Sequence, residues 1–506
     1  MKKIHLIFAL LLTLALSAGC AADPAENPTP AGSAEIRFTD GKVTAAATDG
    51  ITIDGTTLTV TGAGTYLLSG SCADGRVKVE KGVRGVTLVL NGLALTCENS
   101  APILCGKGSE VTIEAAAGTE NTLSDTAANH DETGSADAEN AVIKCKDGSR
   151  VVLCGTGALT LRANGKNGIK SGSTTQDGEA SLTIRDLTLT IDAPVNDAIN
   201  AEAALTVESG TLTLSAGDDA LHCDYTLNIG AAGTDGPRIT VTSCYEGLEG
   251  AAVNICSGSI DIHSADDCIN AANADLTGFS YQLNISGGTV TARSDSGDGF
   301  DSNGDLTISG GNVTVWTANA ADNEPLDADG TVTVSGGTVL AAGGSGGMGM
   351  SLAATQPCVI FTGSGAAGMN MPGPGTLGGA SLLTQGTAFT VASADGTVLY
   401  SGEAVYNASF LFFSSGDLSD GESCTLSAGE AQTVSTAQTG TVRTGMGSRG
   451  DGNIGGMGGM GGMGGQRPDG TAPPSGGFNS QKPDGTTPPE RPTGTPPQTG
   501  PGGTTI

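Results

Sequence analysis

The chain has 506 residues, a formal net charge of −30 and only 3% aromatic residues. That charge would repel bare nucleic acid and anionic lipid, and a polyanionic ligand would need bridging cations. Low lysine with abundant glycine, threonine, alanine and valine argues against a helical protein and for short strands joined by turns.

Lys2 and Lys3 precede an apolar run from Ile4 to Leu16, followed by Leu16-Ser-Ala-Gly-Cys20. The run is too short for a stable bilayer span and has the order of an export signal. The small residues before Cys20 resemble a bacterial lipobox, although Ser17 stands where Leu is more usual. Residues 1–20 are therefore expected to be a lipoprotein signal peptide. Cys20 would carry the lipid and anchor the chain to the outer face of the bacterial cytoplasmic membrane. Ordinary secretion with cleavage nearby is the alternative. Export would permit disulfides. The eleven cysteines left after Cys20 are odd in number, however, and form no CxxC pair. Cys105, Cys145 and Cys223 each follow an apolar anchor by two residues, which suits stacked, buried thiols.

Residues 21–35, with Pro24, Pro28 and Pro30, read as a tether. Residues 36–100 read as an N-terminal β cap and first coils. Alternation is clear in Thr57-Leu-Thr-Val-Thr61, Val77-Lys-Val79 and Val86-Thr-Leu-Val-Leu90, with turns expected at Asp54-Gly55, Asp74-Gly75 and Asn91-Gly92. From Ala101 to Gly343 one phrase recurs: acid, small, bulky apolar, variable, small. It reads Asp197-Ala-Ile-Asn-Ala201, Asp219-Ala-Leu-His-Cys223, Glu246-Gly-Leu-Glu-Gly250, Asp267-Cys-Ile-Asn-Ala271, Asp298-Gly-Phe-Asp-Ser302 and Glu324-Pro-Leu-Asp-Ala328. Repetition at elastic steps of roughly 20–30 residues marks a solenoid. The apolar anchors extend backwards through Ile103, Ile143 and Ile169, where Ala101, Ala141 and Asn167 stand in place of the acid. The longer step from Ile103 to Ile143 leaves the polar stretch from Asn121 to Glu139 as a loop. A second pattern, such as Leu283-Asn-Ile-Ser-Gly-Gly-Thr-Val-Thr-Ala292, adds two short strands around a glycine bend. The expected fold is all-β, a right-handed parallel β-helix of roughly nine coils with Leu, Ile and Val inside. Residues 344–435 read as a small C-terminal β-unit covering its open end. Residues 436–506, rich in Gly, Met and Pro, read as a disordered tail.

Several runs carry a resemblance. Gly64-Thr-Tyr-Leu-Leu-Ser-Gly70, Val86-Thr-Leu-Val-Leu-Asn-Gly92, Gly118-Thr-Glu-Asn-Thr-Leu-Ser-Asp125, Asn167-Gly-Ile-Lys170 and Ser414-Ser-Gly-Asp-Leu-Ser-Asp-Gly421 occur in this order, followed by the Gly/Met/Pro tail. Together with the acid phrases they resemble bacterial carbohydrate-binding-domain proteins with a calcium-containing β-helix. The resemblance covers most of residues 36–430. It implies a right-handed parallel β-helix, surface display, bound Ca²⁺ and a polysaccharide partner of plant type, acidic pectin included. The fold is similar to that of pectate-type polysaccharide lyases. The chain departs from the pattern at Asn167 and before, where the acids are missing.

The phrase itself has chemical consequences. Coils of a parallel helix lie about 4.8 Å apart. Stacked carboxylates at that spacing repel by about 1 kcal/mol per pair even in water. Ca²⁺–oxygen distances of about 2.3–2.6 Å would let one ion sit between two rungs. The expected ligands are Asp197, Asp219, Glu246, Asp267, Asn270, Asp298, Asp301, Asn303, Glu324 and Asp327. The densest patch is Asp295, Asp298, Asp301, Asn303 and Asp305 against Glu324, Asp327 and Asp329. An EF-hand is rejected, because Asn312 stands where its closing Glu belongs. The competing explanation is that Asp and Asn simply make the turn before each strand. Asn200, Glu249 and Trp316 are candidate glycan contacts. Trp316, Tyr225, Tyr245 and Tyr281 are the aromatics available to stack on sugar rings, but with so few of them packing is the favoured role for each. His222 and His263 read as turn or surface residues. A monomeric polysaccharide-binding module for plant cell-wall glycans, such as polygalacturonate or cellulose-like glucans, is the favoured reading. A lyase would need a base beside a cation, with Lys170 and Lys144 as candidates. A surface scaffold or adhesin is the third alternative.

Overall fold

The computed structural model describes residues 34–443 except 133, 174–179, 274, 275, 277, 321, 322, 345–350 and 364–380. Cys20, the leader and residues 444–506 lie outside the described residues. Among the described residues every regular element is a strand. The chain winds as a right-handed parallel β-helix of about ten turns.

Three columns of inward side chains build the core. On the first face Val77, Ile103, Ile143, Ile169, Ile199, Leu221, Leu248, Ile269 and Phe300 stack in register. A second column runs from Val111 through Val151, Leu182, Leu205, Leu227, Val253, Leu283 and Leu306 to Val332. The third contains Leu123, Leu161, Ile191, Leu214, Val241, Ile262 and Val315. These side chains are sealed from solvent. Full burial of one such residue is worth about 1.5–3 kcal/mol, and parallel in-register pairing repeats that gain at each rung. On the outside of the second face Asn254 Nδ2 donates to Asn228 Oδ1 and Asn284 Nδ2 to Asn254 Oδ1, both at 3.0 Å.

Within residues 34–100, Thr57–Val60 already pairs in parallel with Arg76–Val79, and Ala34–Thr39 with Gly64–Cys72. Two details differ from the sequence reading. Asn91-Gly92 is not a chain reversal. It lies inside the strand Val86–Cys97, where Gly92 at φ 71° turns the corner between two faces. The expected loop also starts later, since Asn121 belongs to the strand Glu120–Asp125. Its remainder is held by Asn129, which is fully buried. Asn129 Nδ2 donates to Asp125 Oδ2 and Ala141 O, while its Oδ1 accepts from the N–H groups of Glu139 and Asn140.

At the C-terminal end, Ser351–Thr362 pairs parallel with Val332–Val334 and antiparallel with both Phe410–Ser414 and Gln438–Arg443. The last strand corrects the tail boundary: residues 438–443 are ordered because the exposed edge of Ser351–Thr362 supplies backbone partners. A separate four-stranded antiparallel sheet, Ala388–Ala392, Val398–Glu403, Ser423–Ala428 and Ala431–Thr436, closes a second core. Trp316, a candidate glycan contact for which packing is the favoured role, sits in that core at 2% exposure, with its ring 5.9 Å from that of Phe389. Its size and apolarity were used for packing, so no sugar can reach it.

Candidate metal and glycan site on the first face

The acid phrase forms the corner that leads into each first-face strand. The N–H groups of Ala198, Ala220, Gly247, Cys268 and Gly299 donate to the carbonyls of Asp219, Glu246, Asp267, Asp298 and Glu324 in the following coil. The six acids are thereby stacked one per rung. At two of these corners, Gly247 and Gly299, the space excludes even a Cβ. A Cβ on Gly299 would lie 2.2 Å from Val315 Cγ1 and 2.5 Å from Pro325 O.

The acids also serve the turns. Asp197 Oδ1 accepts the Asp219 N–H at 3.2 Å, Asp267 Oδ1 the Asp298 N–H at 2.6 Å, and Asp298 Oδ1 the Glu324 N–H at 2.5 Å. One carboxylate oxygen of each of these is thus used structurally, and the second remains for other partners. Turn-making and ligation are therefore compatible in the same residue.

The variable position of the phrase forms an outward column. Lys78, Leu104, Lys144, Lys170, Asn200, His222, Glu249, Asn270 and Asp301 lie in register. Its character changes from cationic to anionic along the axis. Among the described residues three groups bring ligand atoms within 4.8 Å of one another: Asp197, Asp218 and Asp219; Asp219, His222 and Glu249; and Asp298, Asp301 and Asp327. Glu246, Asp267 and Glu324 stand in the column but in none of these groups. Asn303 is exposed beyond its strand end. Asp218 and Asp224 were missed by the sequence reading. The doubled acid Asp218-Asp219 and the period-two relation of Asp224 to His222 were the available signals.

His222 is not a surface or turn residue. Its Nδ1 contacts Asp219 Oδ2 at 3.1 Å and Glu249 Oε2 at 2.5 Å, and its Nε2 contacts Asp224 Oδ1 at 3.1 Å. Burial alone would lower its pKa, but the bonds to Asp219, Asp224 and Glu249 outweigh it and hold the ring charged well above the usual histidine range. The imidazolium is a resident cation at this rung.

Further along, His263 meets Asp295 at 3.2 Å and Arg293 meets Asp261 at 2.6 Å, but no side-chain cation is paired with Asp298, Asp301 or Asp327 among the described residues. Burial, with the neighbouring Asp267, Asp301 and Asp327, pushes Asp298 up to about 8. Burial with Asp327 and Asp329 takes Asp301 to about 6. Burial also takes Asp267 and Glu324 to about 7 and Glu246 to about 8. Two amide oxygens in the outward column are sealed without a hydrogen-bond partner: Asn200 Oδ1 and Asn270 Oδ1. Their Nδ2 groups donate to Asp197 Oδ2 at 2.6 Å and Glu246 Oε2 at 3.2 Å. Orphaned carbonyl-type oxygens among crowded carboxylates are the donor set of a hard cation. The residues fit such an ion.

Of the lyase candidates, Lys170 is tied to Glu202 at 3.2 Å. Lys144 is the perturbed one, its pKa lowered by burial and then by the charge of Lys170.

A carbohydrate-binding domain-containing protein of Acetivibrio thermocellus is 32% identical over 189 residues, 36% of this chain and 65% of that protein. The chain therefore spans less than two thirds of that relative. The solved polysaccharide lyase-like protein from C. thermocellum, a gadolinium derivative, aligns over 61% of this chain and 93% of its own at 24% identity. Its TM-score is 0.32, too loose to compare sites. A family model matches residues 54–347 and 232–421, and on that extent the chain belongs to the carbohydrate-binding domain-containing protein family.

Proposed function

We propose that this protein is an exported, lipid-anchored module that binds cell-wall polysaccharide through calcium held on the first face. The observation that carries the reading is the convergence of Asp298, Asp301 and Asp327 within 4.8 Å, where no side-chain cation offsets them among the described residues. A divalent ion there would relieve the repulsion and leave coordination positions for a sugar carboxylate or hydroxyl. Asn200, Asn270 and Glu249 flank the same column and are the proposed glycan contacts. Family membership supports carbohydrate as the ligand class. Polygalacturonate is the favoured polymer, since a bridging cation makes an acidic surface attractive to an acidic chain. Retention on immobilised polygalacturonate and on cellulose, with calcium and with chelator, tests this. Retention that ignores chelator on both supports would remove the calcium part, and no retention on either would remove the whole.

A lyase is the second reading, favoured by one observation. Lys144 is half-buried beside Lys170, and burial and that neighbouring charge lower its pKa, the direction that favours a general base. Unsaturated uronate products from polygalacturonate, lost in Lys144→Ala, would support it. No product in the presence of calcium would end it.

A further inference from the structure

A cavity of about 750 Å³ opens between the strand Arg76–Val79 and the buried-asparagine loop that ends at Glu139. It lies at the opposite end of the first face from the Asp298 group. The register from Lys78 to Asp301 separates them by eight rungs, about 40 Å along the axis. The volume is that of a small-ligand site. Its chemistry is opposite to the rest of the molecule. The whole chain has 23 Lys and Arg residues against 53 Asp and Glu, yet Arg76, Lys78, Lys81, Lys107 and Lys146 all line this cleft against three carboxylates.

Those cations are only partly neutralised. Glu139 takes Lys146 at 2.9 Å and Arg76 at 3.7 Å, and Lys107 pairs with Asp147 at 3.2 Å. Lys78 and Lys81 are exposed and have no ion-pair partner among the described residues. The Arg76 Nε–H is sealed from solvent without an acceptor, although an unmade bond from a charged group is costly. Leu104, in register between Lys78 and Lys144, gives the cleft an apolar floor.

We propose that this cleft is a metal-independent subsite for a carboxylate-bearing sugar. A neutral sugar would leave Lys78 and Lys81 unmatched. A bare inorganic anion would leave most of the volume and the Leu104 floor unused. An acidic sugar satisfies both requirements, and guanidinium and ammonium groups bind carboxylate through charge-assisted hydrogen bonds. The choice of sugar over other organic acids rests on the carbohydrate-binding reading above.

Calorimetric titration of the full chain with trigalacturonate, cellotriose and sodium sulfate, all in chelator, tests the subsite. The wild type is expected to bind trigalacturonate and not cellotriose. The double variant Lys78→Glu, Lys81→Glu should bind trigalacturonate at least tenfold more weakly with an unaltered melting temperature. The inference is overturned if the wild type gives no heat in chelator, if the double variant binds normally, or if equimolar sulfate displaces the sugar. Retention on polygalacturonate only with calcium, with silence in chelator, would sink the cleft and leave the proposed function standing. Chelator-resistant binding of trigalacturonate without calcium-dependent retention would do the reverse.

Discussion

At the scale of single residues, the first face separates two ways of offsetting stacked carboxylates. At His222 the cation is part of the chain. At Asp298, Asp301 and Asp327 no side-chain cation is paired with the acids among the described residues, and the proposed calcium would take that place. Substituting His222→Gln is therefore expected to lower the melting temperature in chelator by several degrees, with calcium restoring part of the loss. An unchanged thermal profile would mean that Asp219 and Glu249 do not need the imidazolium. Asp301→Asn is expected to weaken calcium binding at least tenfold in calorimetry while leaving the fold intact, because the turn bonds in this part of the column run through Asp267 and Asp298. The outward position of Asp301 was legible from the recurring phrase. The ion-pairing of His222 was not, because its partners Asp224 and Glu249 come from the same and the next coil.

At the scale of the repeated element, the anchor and its small neighbour have different tolerances. Phe300 is fully buried between rungs, so Phe300→Ala should cost about 3–5 kcal/mol in denaturant unfolding. Gly299→Val meets backbone rather than a flexible side chain at Pro325 O. It is expected to lower soluble yield or melting temperature more than Ala220→Gly does at the equivalent corner, and equal tolerance of the two would refute the corner argument. Alternation and period identified nearly every first-face strand, because a parallel coil needs the same residue class at the same place on each turn. Corners such as Gly92 were misread. A glycine with positive φ serves a reversal and a face-to-face bend equally well.

For the whole molecule, the acid column couples stability to pH. Asp267, Glu246, Asp298, Asp301 and Glu324 all have pKa values raised by burial, to between about 6 and about 8. A carboxyl with a raised folded-state pKa holds its proton more tightly when folded. Its contribution is complete below the unfolded value and is lost as pH rises through the folded one. The chelated protein should therefore melt at a progressively lower temperature between about pH 5 and pH 8. Saturating calcium should flatten that slope by replacing the protons. A melting temperature that rises over this interval in chelator would contradict the buried-acid arrangement.

The sequence by itself determined the solenoid, its three-strand coil and the stacking of one acid per turn, since each follows from a repeat that neighbouring coils must share. It also marked the outward column as a series of oxygen donors. Only the tertiary structure decided how those donors are used: which acids converge, which is met by His222, and that Trp316 is buried. The basic cleft between Arg76 and Glu139 was likewise invisible, because its cations come from separate coils and are closed over by a loop interrupting the repeat. Periodicity reports what every coil has in common. A site depends on where one coil differs from the next, and that difference acquires meaning only when the coils are stacked.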